Sequence, residues 1–274
     1  MGNFLEQVLA EKRKDLEVRK QKVPLEQLKA GLDGLPRCRN FYKAVTKPNP
    51  RGVNVIAEVK RASPSAGLIR ADFDPVQIAM TYQRCGADAI SVITDGRYFQ
   101  GSIEYLTAVK QAVTLPVLFK DFIIDPYQVY EARLAGADAV LLIAEALNLS
   151  QLADLLILAS QLTLTVLLEV HGPDVLLNVR SLIGFPIRGF SVLGINNRDL
   201  TSLQVDTNTF CRLAALVDPA EGLVAESGIK TRHDVQRMVA AGATAVLVGQ
   251  ALCQDQDIEA QFIRLFGPVQ GDGG

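Results

Sequence analysis

The sequence predicts an α/β fold, a (β/α)8 TIM barrel with an N-terminal helical extension, and three observations carry that expectation. Eight short apolar runs, rich in β-branched residues, alternate with segments of helical period between Asn54 and Phe266. A motif recurs: GADAISVI (86–93), GADAVLLI (136–143) and GATAVLVG (242–249) each place a helix-ending glycine just before a buried run. Most of the runs end in charged or amide residues, and the C-terminal ends of the strands are where a parallel barrel gathers its chemistry. An open doubly wound sheet is the competing architecture, disfavoured because no GxGxxG follows the first run.

Residues 1–52 read as a helical extension packing on the barrel. Asn3 and Glu6 form a capping pair for a helix reaching about Lys20, with Phe4, Leu5, Val8, Leu9 and Leu16 as a partial apolar stripe. The run EKRKDLEVRKQK on this helix reads as a solvated face. A second short helix begins near Pro24, a good first-turn residue. Glycines and prolines then break the chain around Asn40–Lys47. Barrel strands are expected at Asn54–Val59, Ala89–Thr94, Pro116–Lys120, Ala139–Ile143, Leu164–Val170, Ser191–Asn196, Leu223–Glu226 and Ala245–Val248. Helices are expected at Pro75–Cys85, Ile103–Val113, Pro126–Ala135, Leu149–Leu162, Pro173–Leu182, Thr207–Leu216, Arg232–Ala241 and Ile258–Phe266. The barrel domain is thus 53–266, and the Gly- and Asp-rich stretch 267–274 reads as a flexible tail.

Composition narrows the function. A length of 274 residues, 49% of them hydrophobic, is enough for a large core. A net charge of −2 lacks the basic excess of a nucleic-acid surface. Glu145, Asn148, Asp154 and Gln161 interrupt the most apolar region, Ala139–Val170, below the roughly 18 residues of a membrane helix. The early charges at the N-terminus do not read as a secretory signal. The four cysteines are widely scattered and read as reduced thiols, so a cytoplasmic enzyme is expected. Two histidines argue against a His-rich metal site.

The chemistry concentrates in Val53–Gly67, VNVIAEVKRASPSAG. Residues i and i+2 of a strand share a face, so Glu58 and Lys60 point together into the barrel mouth. Buried charges are costly unless paired or used. Other runs add Lys120, Glu169, Asn196, Arg198 and Glu226 to the same rim. Phosphate-holding loops are expected after the last two strands, where ESGIKT (226–231) and VGQAL (248–252) offer Ser227, Gly228 and Gly249. Ser63 is placed to close that site from the first strand. Two lysines crowded at one mouth are expected to lower each other's pKa, with the glutamates between them ionised. His171 shares the inward face with Glu169 and is assigned to the rim rather than the chemistry; His233 reads as solvated. Three rivals remain at this point. A Schiff-base aldolase would use one lysine as nucleophile, a phosphosugar isomerase lacks such paired lysines, and a catalytically silent barrel would lack the charged strand ends.

The motifs IAEVKRASPSAG (56–67), DFDP (72–75), SVITDGRYFQGS (91–102), LPVLFKDFIIDPYQV (115–129), LLEVH (167–171), GINNRDL (194–200) and AESGI (225–229) resemble the indole-3-glycerol-phosphate synthase family of tryptophan biosynthesis. The resemblance spans about Asn54 to Leu252 in order. It implies a lyase that closes the ring of 1-(2-carboxyphenylamino)-1-deoxyribulose 5-phosphate, losing carbon dioxide and water, with no metal or organic cofactor. Lys120 would be the general acid, Glu169 the acid–base glutamate, and Lys60 the partner of the substrate carboxylate and a candidate acid in dehydration. Glu58 would partner Lys60 as a candidate base. Asn196 and Arg198 would hold the hydroxyl and carboxylate side, with Glu226 in the same mouth. Phe99 and Phe122 would enclose the aromatic ring, and Ser63, Ser227, Gly228 and Gly249 would bind the phosphate. A monomer, associating at most weakly with other enzymes of the pathway, is expected. The sequence departs from the family at Phe119, where arginine is frequent, at Ala225, where serine is usual, and at Gln250–Ala251.

Overall fold

The computed structural model describes residues 3–218 and 222–268. Eight parallel strands close into a barrel: β1 Asn54–Val59, β2 Ala89–Ile93, β3 Val117–Lys120, β4 Ala139–Ile143, β5 Thr165–Val170, β6 Ser191–Asn196, β7 Leu223–Glu226 and β8 Ala245–Val248. β1 closes the ring by pairing with both β8 (Asn54 beside Ala245) and β2 (Ile56 beside Ala89). The two-residue period sorts the side chains. Ile56, Leu118, Leu141, Leu167, Val192 and Leu247 meet inside the barrel, while Val55, Phe119, Val140, Val166, Ile195 and Val246 face the surrounding helices. Continuing the inward phase by one step puts Glu58, Lys120, Glu169, Asn196 and Glu226 at the C-terminal mouth.

The recurring motif has a structural cause at the opposite end. Gly86, Gly136 and Gly242 each end a helix in the left-handed region, with φ of 81°, 93° and 102°. The next polar residue but one then caps a neighbouring strand. Val55, at the start of β1, donates its N–H to Asp88, and Val117 of β3 donates to Asp138. Leu223 of β7 donates to Thr244 in the same way. The repeat is therefore a floor-building device.

The extension runs from mouth to floor. Helix α1, Phe4–Lys22, carries the expected Asn3–Glu6 capping box. It lies over the rim at the ends of β2 and β3. Tyr127 donates its hydroxyl proton to carbonyls at Arg19 and Val23, fixing the descent to α2, Leu25–Ala30. Helix α3, Phe41–Thr46, then buries Phe41 and Val45 against the inner floor residues. The solvated-face expectation for α1 fails at Lys12, which is 6% exposed. It sits four residues from both Val8 and Leu16, so it belongs to the apolar stripe.

The helix after β5 stops at Val179 and tightens into a 3-10 turn over Arg180–Leu182, short of the expected continuous helix. Three elements escape a sequence reading because they are too short to show a period: the turn Gly96–Phe99, the hairpin of Ala62–Ser63 with Gly67–Leu68, and the helix Gln250–Cys253. Most of the expected tail, from 269 onward, lies outside the described residues. Among the described residues no helix is long and apolar enough to cross a membrane.

Candidate active site

A cavity of about 970 Å³ opens at the C-terminal mouth. Its floor carries two separate ion-pair groups. Lys60 Nζ lies 2.5 Å from Glu58 Oε1. Lys120 Nζ lies 3.1 Å from Glu169 Oε2 and 3.2 Å from Glu226 Oε2. The three glutamates are at most 2% exposed. Room for them comes from glycines: a Cβ at Gly194 would sit 2.4 Å from Glu226 Oε1, and one at Gly249 would sit 2.3 Å from Glu58 Oε1.

This pairing reverses the expected lysine crowding. Burial disfavours the Lys120 charge, but Glu169, then Glu226 and Glu58, outweigh it and hold the ammonium well above the ordinary lysine value. Burial likewise disfavours the Glu169 carboxylate, yet Lys120 and His171 outweigh it and keep it far below the usual range. Glu226 goes the other way: burial and the charge of Glu169 push it up to about 8, against Lys120. Neither Glu226 oxygen accepts a well-aligned hydrogen bond. The site thus holds one carboxylate poised as a base, one poised to hold a proton, and a charged lysine between them.

The walls differ in chemistry. Phe99 and Phe122 form an aromatic wall, their ring centroids 6.3 Å apart and tilted by 38°. Lys12 on α1 locks this wall from outside, 2.9 Å from Asp95 and 2.7 Å from Asp121, the acids that end β2 and β3. Asp95 accepts the N–H of Tyr98 and Asp121 that of Phe122. Arg198 lines the cavity and donates to the Leu203 carbonyl; burial lowers its pKa, opposed by Glu58. Asn196 accepts the Arg198 N–H through Oδ1, which fixes the start of that loop.

The opposite wall is the glycine side. Ser227 and Gly228 are both left-handed, with φ of 62° and 77°. A Cβ at Gly228 would collide with Val205 and Thr207. Gly249 caps the short helix Gln250–Cys253. Ser63 is not brought to the cavity lining. Its hydroxyl accepts the Ala66 N–H within its own hairpin, and Ser65 lines the cavity instead. Asn197, beside Asn196, donates to the Ser227 carbonyl and accepts the Phe210 N–H, tying the β7 loop to the helix Asn208–Ala214 that precedes β7. Among the described residues no group of three or more His, Cys, Asp or Glu has the arrangement to hold a metal ion.

The family model for indole-3-glycerol phosphate synthase matches residues 5–265. The chain belongs to the indole-3-glycerol phosphate synthase family. This is a family of lyases that perform a decarboxylating cyclisation in tryptophan biosynthesis. The indole-3-glycerol phosphate synthase of Geobacillus thermodenitrificans is 46% identical over 270 residues, covering 98% of this chain and 99% of that protein. The synthase of Rhodopirellula baltica is 46% identical over 255 residues, covering 93% and 95%. Solved structures share the barrel at low identity. A mutant tryptophan synthase alpha-subunit from Pyrococcus furiosus aligns with a TM-score of 0.58 at 12% identity, covering 78% of this chain and 98% of that one. Thiamine phosphate pyrophosphorylase of the same organism gives 0.56 at 16% identity, covering 79% and 96%.

Two departures from the synthase family pattern fall away from the cavity. Phe119 and Ala225 point outward into the packing between strands and helices. Gln250 does line the cavity, and its amide reaches Gln254. His171 lies behind Glu169, outside the lining, and His233 is exposed.

Proposed function

We propose that this chain is an indole-3-glycerol-phosphate synthase acting on 1-(2-carboxyphenylamino)-1-deoxyribulose 5-phosphate. The observation that carries the reading is Lys120, held charged between Glu169 and Glu226 in a cavity with an aromatic wall and a glycine wall. The substrate has matching parts: an aryl ring, a carboxylate, a ketone and a phosphate.

In this reading the aryl ring lies against Phe99 and Phe122, and the phosphate sits in the loops of Ser227, Gly228 and Gly249. Lys60 and Arg198 receive the carboxylate. Fixing both ends brings the ring carbon to its own ketone, an orientation gain that a flexible chain lacks in water. Lys120 protonates the ketone oxygen as the carbon–carbon bond forms. Carbon dioxide then leaves, returning its bonding electrons to the ring system. Glu169 takes the proton from the neighbouring methylene, and the protonated hydroxyl departs as water, with Lys60 as a further acid and Glu58 its partner. Asn196 and Glu226 hold the hydroxyl that is lost.

A Schiff-base role for Lys120 fits less well. A nucleophilic lysine must shed its proton, and two carboxylates oppose that. The chemistry needs no cofactor beyond these groups. We further propose a cytoplasmic monomer, associating at most weakly with other enzymes of the pathway. The test is turnover by pure protein, followed by indole fluorescence. Absence of product from folded protein would end the assignment, and borohydride trapping at Lys120 or Lys60 would replace it with imine chemistry.

A further inference from the structure

The pair of carboxylates beside Lys120 is nearly symmetric in distance, 3.1 Å for Glu169 and 3.2 Å for Glu226. Both are buried to a similar degree, so Lys120 alone gives little reason for them to differ. What differs is what stands behind them. His171, two residues after Glu169 on the same face, puts Nε2 3.1 Å from Glu169 Oε1, within ion-pair reach though not aligned as a hydrogen bond. Its Nδ1 lies 3.0 Å from Glu145 Oε2, and its backbone N–H donates to the other oxygen of Glu145 at 2.8 Å. Glu145 comes from the 3-10 turn Ala144–Ala146 after β4. It therefore grips His171 by both main chain and ring.

A neutral imidazole carries one N–H and one bare nitrogen. With a carboxylate at each nitrogen, a neutral ring would set a lone pair against an anion. The geometry calls for protons on both nitrogens. His171 is thus a fixed cation, 7% exposed at its side chain, and Asp199 in the loop after β6 adds to the negative charge around it. Glu169 lies between two cations, Lys120 and His171. Glu226 has one.

We propose that His171, held as an imidazolium between Glu145 and Glu169, is a positioning residue that decides which of the two carboxylates beside Lys120 is the ionised base. It touches no cavity surface and acts through Glu169. The shifts agree: burial opposes the His171 charge, but Glu145 and Glu169 raise it to about 10. The consequence for catalysis rests on the synthase reading above. A base that must accept a proton during turnover has to start ionised.

The test compares wild type with His171→Gln and His171→Asn, two neutral replacements that keep a hydrogen-bonding tip. The first readout needs no substrate. In protein labelled with 13C at the glutamate carboxyls, the wild type should show one buried carboxyl titrating near pH 8 and its partner ionised to strongly acidic pH. In both variants the partner should begin to protonate at least about one pH unit higher. The second readout is turnover. In the variants kcat should fall most at the acid end of the accessible pH range and recover as pH rises, with KM changed less than about threefold.

Unchanged carboxyl titration in a folded variant overturns the proposal, including when kcat falls equally at every pH, which would mark a packing role. If wild type turns nothing over, the synthase reading fails, and the titration alone decides the role of His171. Should both variants misfold, Glu145→Gln is measured; it should lower kcat at the acid end in the same way by a smaller amount, and an unchanged pH profile refutes the proposal.

Discussion

The two ends of the barrel use charge in opposite ways. At the floor, Asp138 accepts the N–H groups of Val117 and Arg39 and pairs with Lys110. Asp88 accepts the N–H of Val55 and contacts of Asn49 and Lys47. Those carboxylates are spent on strand starts and have no freedom left. At the mouth, Glu58 and Glu226 pair with lysines that line the cavity, Glu169 pairs with Lys120 and with His171 behind it, and Glu226 is left without a well-aligned donor. A buried charge that is fully satisfied serves stability; one that is partly satisfied stays available to a substrate. Buried carboxylates therefore separate into structure and function by the end of the barrel at which they lie.

Loss of the mouth lysine should give the largest effect. Lys120→Ala removes the acid, and kcat should fall by about 10²- to 10⁴-fold while inorganic phosphate still binds, read by steady-state kinetics and titration. Folding should survive, because Glu169 and Glu226 can share a proton once the cation is gone. A kcat within a few-fold of wild type would refute the acid role. At the floor the matching lesion is Asp138→Ala, which strands two backbone donors and the Lys110 charge. About 3–5 kcal/mol of stability should be lost in denaturant unfolding, with kcat of the remaining folded enzyme nearly unchanged. If the two variants exchanged phenotypes, the division of labour between the ends would be wrong.

Much of this division was legible in the sequence. The two-residue period carries Ile56 to Glu58 and Leu167 to Glu169 along one inner face, so the mouth charges follow from the pattern alone. The repeat GADA marks helix ends and strand starts but not the capping, since which strand an aspartate caps depends on which strands pair. Pairing was less legible. Which lysine meets which glutamate depends on strands far apart in the chain, so the crowding argument put Lys120 beside Lys60 when its neighbours are carboxylates from β5 and β7. Glu145 sits in a turn with no periodic signal, so the sequence alone gives His171 no partner on that side. Ser63 and Ser65 lie two residues apart in a hairpin too short to predict, and the hairpin decides which hydroxyl sees the cavity. The burial of Lys12 is legible, because its spacing from Val8 and Leu16 marks the apolar stripe.

The histidine sharpens the contrast through pH. His171 is raised from an ordinary 6.5 to about 10 by Glu145 and Glu169 acting against burial. A raised folded pKa adds stability that is complete below the unfolded value and vanishes as pH climbs through the folded one. The stability of wild type relative to His171→Gln should therefore fall between pH 6.5 and 10, and be flat below that window. Thermal melts across the range read this directly. A difference that grew with pH would mean that the ring is neutral in the folded protein.

The smallest lesion, a single methyl group, separates the two ends most cleanly. Gly249 and Gly222 both lie at strand boundaries beside β8 and β7, and neither tolerates a Cβ. At Gly249 the methyl would come 2.3 Å from Glu58 Oε1; at Gly222 it would come 2.4 Å from Thr46 Cγ2 of α3. Overpacking of this kind costs about 1–3 kcal/mol wherever it occurs. The location decides who bears it. Glu58 is a side-chain tip facing a cavity, so in Gly249→Ala it can swing away from Lys60, relieving the clash and misplacing the pair. Thr46 sits on a helix packed against the floor, so in Gly222→Ala the helix must move. Gly249→Ala should lower kcat/KM about tenfold with little change in Tm, and Gly222→Ala should lower Tm with kcat/KM nearly intact. Equal losses of both quantities in both variants would show that the two ends are not energetically separate.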